Sequence, residues 1–96
     1  MKEIEGQLFI ENIPIKSLVT EYGTPSFIYS SRIIKENFNK YKDEIRNDDL
    51  ICYAVKANSN LHILRLLAGL GSGFDVVSGN ELKRCLTAGA DKKKIV

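Results

Sequence analysis

The apolar residues of this chain follow two different spacings, which divide it into strands and helices. Short apolar runs predict strands over residues 7–10, 50–56 and 73–77, with a further strand beginning at residue 95. Spacings of three and four residues predict helices over residues 15–22, 31–45, 61–68 and 79–88. The alternation of strand and helix after residue 50 predicts an α/β fold with parallel strands and right-handed crossovers.

Small polar residues mark the expected starts of these helices. The expected N-caps are Ser30 or Ser31 for the second helix, Asn58 or Ser59 for the third, and Ser78 for the fourth. Ser78 and Glu81 have the spacing of a capping box, in which each side chain bonds to a free backbone N–H at the helix start.

The strand over residues 50–56 draws attention because it ends on Lys56, directly before a polar turn. Side chains alternate along a strand, so Cys52, Ala54 and Lys56 are predicted to share one face. Small residues leading to a lysine suit an interior that leaves room for a cofactor ring. A partly desolvated amine loses some preference for the charged form, and the neutral amine attacks carbonyls. The alternative is a lysine that marks the solvated end of a strand.

The next strand, residues 73–77, carries Asp75. Alternation aims Asp75 at the same interior as Lys56, one strand over, where a carboxylate can orient the amine and bias its proton. The alternative is a structural charge that bonds loop amides. Ser78 follows at the mouth of the predicted interior, although its capping role is sufficient to explain it.

Two segments carry a resemblance to a known family: YAVKANSN at residues 53–60 and GSGFDVVSG at residues 71–79. They resemble the pyridoxal-phosphate-dependent decarboxylases with an alanine-racemase-like (β/α)8 barrel, and within that family the diaminopimelate decarboxylases. The similarity is dense over residues 50–90 and looser over residues 6–48. Asn80 departs from the pattern, since the family usually has glycine there.

The resemblance implies a cofactor and its contacts. It implies that Lys56 holds pyridoxal 5'-phosphate covalently and that Ala54, Asp75 and Ser78 lie around this cofactor. The family's phosphate-binding glycines, its cofactor-stacking histidine, its acidic partner of the pyridine nitrogen and a cysteine supplied across a homodimer belong to regions downstream of these 96 residues. His62, the only histidine, is therefore expected to be a solvated helix residue.

The resemblance also predicts the domain organisation. A (β/α)8 barrel needs about 250 residues, so residues 31–96 are expected to be its incomplete start. Residues 1–30 are expected to form an N-terminal segment associated with a β domain. The chain ends on apolar Ile95 and Val96 without a closing signal, which favours a natural fragment or a truncated chain that is inactive alone.

The implied reaction is the decarboxylation of meso-diaminopimelate to L-lysine in lysine biosynthesis. A related barrel decarboxylase acting on ornithine, arginine or carboxynorspermidine is an alternative, because most residues that set specificity lie outside this segment. A non-catalytic pyridoxal-phosphate-binding protein, or a fragment that only binds partners, is the alternative from another class. A downstream phosphate loop and a glutamate facing the pyridine nitrogen would favour the enzyme.

Composition and charge limit the kinds of partner, compartment and metal site that the sequence indicates. Fourteen basic and 12 acidic residues give a net charge of +2, which offers no reason to expect nucleic acid. Cys52 and Cys85 lie within apolar patterns and are expected to be reduced thiols packed in the core of a cytoplasmic protein. No apolar run approaches the roughly 18 residues of a membrane span, the N-terminus lacks a signal-peptide core, and no spacing indicates a metal site.

Overall fold

The computed structural model describes residues 1–96 and divides into two compact units, Met1–Ile34 and Lys35–Val96. The first unit contains three antiparallel strands, β1 (Lys2–Ile4), β2 (Gln7–Ile10) and β3 (Ile13–Pro14), followed by helix α1 (Ile15–Tyr22). The turn residues Glu5, Gly6, Glu11 and Asn12 all have positive φ. That conformation suits the two-residue hairpin turns whose twist matches the flanking strands.

The predictions for this unit were correct for β2 and α1, with the observed bounds. They missed β1 and β3. Every residue of β1 is exposed, so that strand has no apolar alternation to reveal it. β3 ends on Pro14, and proline is tolerated only at the edges and ends of sheets, so it gives a weak strand signal.

Helix α2 spans Ser31–Glu44 and directly follows Ser30. The Ile33 N–H donates to Ser30 Oγ at 3.1 Å, which identifies Ser30 as the cap between the two predicted candidates. Phe38 and Tyr41 belong to the stripe of apolar residues, spaced three and four apart, that predicts this helix; Phe38 is buried, but Tyr41 is 71% exposed within this chain. The predicted apolar stripe is therefore only partly covered.

The second unit contains a parallel pair of strands, β4 (Cys52–Ala54) and β5 (Gly73–Asp75), and two helices, α3 (Leu61–Gly69) and α4 (Gly79–Thr87). The two helices pack against each other. A third parallel strand begins after α4, because Ile95 bridges Phe74 and the Val96 N–H donates to the Phe74 carbonyl at 2.9 Å. The predicted order of strands and helices, and their parallel arrangement, are confirmed.

The core of the second unit is built from residues of both helices, of β5 and of the turn that follows β4. Val55, Leu64, Phe74 and Cys85 are fully buried. Burying side chains of this size contributes about 1.5–3 kcal/mol each. Burial raises the pKa of the Cys85 thiol, and the nearby Glu81 carboxylate raises it further. Both cysteines are free thiols, as predicted, but only Cys85 is buried, while Cys52 at the start of β4 is half-buried. None of the helices combines the length and hydropathy needed to cross a membrane.

Gly73 lies where the sheet leaves no room for a side chain. A Cβ there would lie 2.6 Å from the Lys94 carbonyl oxygen and 2.8 Å from Cys52 Sγ. We expect Gly73→Ala to lower the free energy of unfolding by about 1–3 kcal/mol through overpacking. Gly69→Ala is the control, because a Cβ at Gly69 meets nothing within 4 Å. Urea denaturation compares the two variants, and equal stability would contradict the close approach.

Candidate active site

The candidate site lies at the carboxyl ends of β4 and β5. The register pairs Ala54 with Asp75, the last residues of the two strands. Paired residues of parallel strands project to the same side, so Ala54 and Asp75 share a face with Cys52, and Tyr53 lies on the other. In α/β sheets this edge is where ligands bind.

Lys56 lies at this edge, but the predicted strand over residues 50–56 was wrong in its last part. β4 ends at Ala54, and Val55–Ala57 form one 3-10 turn. Val55 is fully buried in this turn while Lys56 is exposed. Strand alternation therefore stops at Val55 and does not determine the direction of Lys56. The strand predicted over residues 73–77 likewise ends early, at Asp75.

The Lys56 amine and the Asp75 carboxylate are both available for new interactions. Neither group makes a hydrogen bond or an ion pair within this chain. Asp75 is exposed at the edge of the sheet. The interpretation of Asp75 as a charge that bonds loop amides thus finds no support, because no loop N–H donates to its carboxylate.

We call residues 55–60 the lysine loop. The Tyr53 hydroxyl donates to the Asn58 carbonyl oxygen at 3.0 Å. Asn58 Oδ1 accepts from the Asn60 N–H at 3.0 Å, and Asn60 Oδ1 accepts from the His62 N–H at 2.9 Å. Asn60 is therefore the cap of α3, and the prediction of Asn58 or Ser59 was wrong. The Asn58 side chain instead accepts from the Asn60 N–H and stabilises the turn of the loop before the helix. His62 is exposed, as expected.

Ser78 caps α4, as the capping-box spacing predicts. The Glu81 N–H donates to Ser78 Oγ at 3.2 Å. The Glu81 carboxylate in turn accepts from the Val77 N–H at 3.4 Å and from the Ser78 hydroxyl at 3.4 Å. Asn80 lies exposed in the first turn of α4, so this departure from the family pattern affects the helix start.

The groups at this edge have the chemistry that an aldehyde cofactor requires. An unpaired amine can bond an aldehyde carbon, and a carboxylate on the next strand can hold a proton. Ala54, paired with Asp75 at this edge, has a side chain that ends at Cβ and leaves room beside them. The residues present therefore fit an aldehyde-bearing group.

Comparison with known proteins places the chain among pyridoxal enzymes. The profile of the family described as "Pyridoxal-dependent decarboxylase, pyridoxal binding domain" matches residues 31–96. A diaminopimelate decarboxylase of Vibrio cholerae is 47% identical over 93 residues, which are 96% of this chain and 22% of the relative. One of Aquifex aeolicus is 49% identical over 92 residues, again 96% of this chain and 22% of the relative.

Solved structures agree with this result. A crystal structure from Aquifex aeolicus has a TM-score of 0.93 and 47% identity, covering 98% of this chain and 23% of that one. A diaminopimelate decarboxylase from M. jannaschii has a TM-score of 0.87 and 38% identity, with the same coverage. These similarities confirm the predicted fold class, a partial barrel of this type. The chain spans about 22% of the length of the curated relatives.

The cap at Ser78 can be tested apart from any chemistry. We expect Ser78→Ala to lower the free energy of unfolding by about 0.5–2 kcal/mol, since the Glu81 N–H loses its acceptor. Ser78→Thr keeps a hydroxyl acceptor and serves as the control, with stability close to the unmodified protein. Urea denaturation of both variants is the measurement. Equal stability of the alanine and threonine variants would show that the cap contributes nothing.

Proposed function

The chain belongs to the pyridoxal-dependent decarboxylase family, and we propose that it is the lysine-bearing part of a diaminopimelate decarboxylase. Such an enzyme converts meso-diaminopimelate to L-lysine and carbon dioxide. The observation that carries the proposal is the position of Lys56, whose unpaired amine follows β4 at the carboxyl edge of the sheet. Relatives named diaminopimelate decarboxylase, at 41% to 50% identity, support this substrate.

In this proposal Lys56 is the residue that would hold the cofactor, because a neutral amine at Nζ can bond an aldehyde carbon with loss of water. Pyridoxal 5'-phosphate, when bound, supplies a conjugated ring that accepts the electron pair left as carbon dioxide departs. Because Lys56 makes no ion pair within the chain, no competing interaction has to be broken first. The Lys56 amine would also hold or release a proton at Nζ.

The other proposed site residues act around this amine. Ala54 leaves space beside the ring because its side chain ends at Cβ. Asp75 accepts a proton from Lys56 or orients its amine, which the shared edge of β4 and β5 supports. Ser78 lies near the mouth of the site and acts through the helix start that it caps, since its Oγ already accepts from the Glu81 N–H.

A related decarboxylase is the second candidate function. A lysine decarboxylase structure from Selenomonas ruminantium also matches, with a TM-score of 0.78 and 31% identity over 93% of this chain. Its identity is lower than the 47% of the Vibrio cholerae diaminopimelate decarboxylase, which favours diaminopimelate. A panel of substrates separates both from decarboxylases of ornithine, arginine or carboxynorspermidine, and from a non-catalytic pyridoxal-phosphate-binding protein.

We also propose the location, the oligomeric state, the partners and the domain organisation of the protein. We infer a cytoplasmic homodimer that binds a small amino acid and neither nucleic acid nor membrane, in keeping with free cysteines and a net charge of only +2. Residues 1–30 belong to a segment associated with a β domain, and residues 31–96 begin the barrel. The antiparallel strands before residue 15 and the family match that starts at residue 31 support this division.

The first test identifies the reactive lysine. The protein expressed from the complete gene is loaded with pyridoxal phosphate, reduced with borohydride and mapped by peptide mass spectrometry. We expect the pyridoxyl group on Lys56. Lys56→Arg should remove the visible absorbance of the lysine-bound cofactor, because a guanidinium stays protonated. Lys83→Arg, an exposed change on α4, is the control. A label on any other lysine would sink the assignment.

The same protein tests the substrate. Carbon dioxide release from meso-diaminopimelate should exceed that from ornithine, arginine, lysine and carboxynorspermidine at equal concentration. Faster release from one of these four competing substrates would move the chain to the second candidate function. A protein labelled at Lys56 that releases no carbon dioxide from any substrate would be the non-catalytic binding protein.

Asp75 has a distinct expected signature. We expect Asp75→Asn to lower kcat by about tenfold or more, since a carboxylate that holds a proton typically contributes at least 100-fold and an amide keeps part of its hydrogen bonding. Thermal stability should stay unchanged, because the Asp75 carboxylate bonds no loop N–H. Asp48→Asn, an exposed charge change outside the site, is the control. A variant that melts early but turns over normally would restore the structural interpretation.

A further inference from the structure

Two side chains outside the lysine loop donate to successive carbonyl oxygens within it. The Tyr53 hydroxyl, from β4, donates to Asn58 O at 3.0 Å. Arg84 Nε donates to Ser59 O at 2.8 Å from α4, across 25 positions of sequence. The loop is therefore held from the strand that precedes it and from a helix of the next strand–helix unit.

We propose that Arg84, together with Tyr53, is a positioning residue that fixes the lysine loop and so aims the Lys56 amine. This inference rests on the function proposed above, because it takes Lys56 as the group that bonds an aldehyde. Neither residue contacts the reacting atoms in the proposal. Each acts through the backbone on the carboxyl side of Lys56.

The position of Arg84 explains how it reaches the loop. Arg84 lies in the last turn of α4, and side chains of a helix lean toward its N-terminus. The long side chain therefore returns along the helix to Ser59, beside the cap of α3. A planar guanidinium loses less conformational freedom per hydrogen bond than an ammonium, which suits a residue that fixes one geometry.

Tyr53 is held in place by the packing of its ring. Its ring meets the ring of Phe74 edge-on, with centroids 6.5 Å apart, and Phe74 is fully buried. The hydroxyl that donates to Asn58 is thus attached to a ring packed against the core. The lysine loop is held by one donor from the core and one from the surface.

These bonds have more influence on orientation than on folding. Arg84 is exposed, and its bond to Ser59 O is open to water, which competes for both groups and leaves little net stabilisation. Lys56 has no other bond that directs its amine. A displacement of about 1 Å in a reacting group can cost about 100-fold in rate. Loss of Arg84 should therefore slow bond formation at Lys56 without unfolding the protein.

A second explanation for Arg84 is its charge near the carboxyl end of α4, where a cation interacts favourably with the helix dipole. Lys83 occupies the neighbouring position with the same charge, and its side chain makes no hydrogen bond or ion pair. Lys83→Met therefore removes a helix charge without touching the loop. It is the matched control for Arg84→Met.

The experiment uses the protein from the complete gene, first stripped of cofactor. Hydrogen exchange is measured on the peptide covering residues 57–62, and pyridoxal phosphate is then added to follow the absorbance of the lysine-bound form. We expect Arg84→Met to slow this bond formation about tenfold, within the range that misplacement produces. Exchange in the peptide should be faster, and the melting temperature should match that of Lys83→Met. Tyr53→Phe, which keeps the ring, should also slow bond formation.

Arg84→Lys keeps the charge but lacks the Nε–H, so it should slow bond formation severalfold; it takes the place of Arg84→Met if that variant does not fold. Bond-formation rates and loop exchange within twofold of the Lys83→Met control would overturn the inference. A failure of the proposed function looks different, because the unmodified protein itself would then carry no label at Lys56. A fall in melting temperature with normal rates would show that Arg84 only stabilises the fold.

Discussion

The complete burial of Val55 determines how the chain passes from β4 to the candidate site. An extended strand through residue 56 would keep alternating, but the chain instead tightens into a 3-10 turn at Val55–Ala57. The buried valine fixes the base of that turn in the core, and Lys56 follows at the surface. The role proposed for Lys56, to bond an aldehyde and later release it, needs a movable side chain on a fixed backbone. The turn supplies both, because one residue is immobilised and the next is exposed.

Stability and candidate chemistry are carried by different residues in this unit. Leu64, Phe74 and Cys85 are fully buried and contribute mainly apolar burial. Lys56 and Asp75 are exposed and make no bonds within the chain, so substitutions there change little of the folding energy. Ser78 contributes to stability through its hydrogen bonds, although it lies next to the residues of the candidate chemistry. Its hydroxyl fixes the start of α4 directly after the strand that carries Asp75.

The sequence was sufficient for those features that depend on local chemistry or on apolar spacing. The capping box at Ser78 follows from a characteristic spacing of residues. The parallel strands follow from the alternation of strands and helices along the chain. The end of β4 was not predictable in this way, because the residues before Lys56 are apolar in either conformation and only the three-dimensional core decides which one turns inward. Asn60 was missed as a cap because several adjacent polar residues can cap, and the choice depends on which one turns the loop. The bond from Arg84 to Ser59 joins positions far apart in sequence, and an arginine late in a helix looks like any solvated charge.

Helix α4 connects the two halves of the candidate site. Its start is set by Ser78 and Glu81, three residues or more beyond Asp75, so the cap limits how the end of β5 can move. Its last turn carries Arg84, which donates to the lysine loop on the carboxyl side of Lys56. The amine and the carboxylate need no bond to each other to keep a constant relation, because one rigid helix is attached to the backbone beside each of them. A site organised in this way can leave both groups unpaired, as the proposed binding of a cofactor requires. Their positions are then maintained by the surrounding backbone, and the interactions that would otherwise neutralise them are avoided.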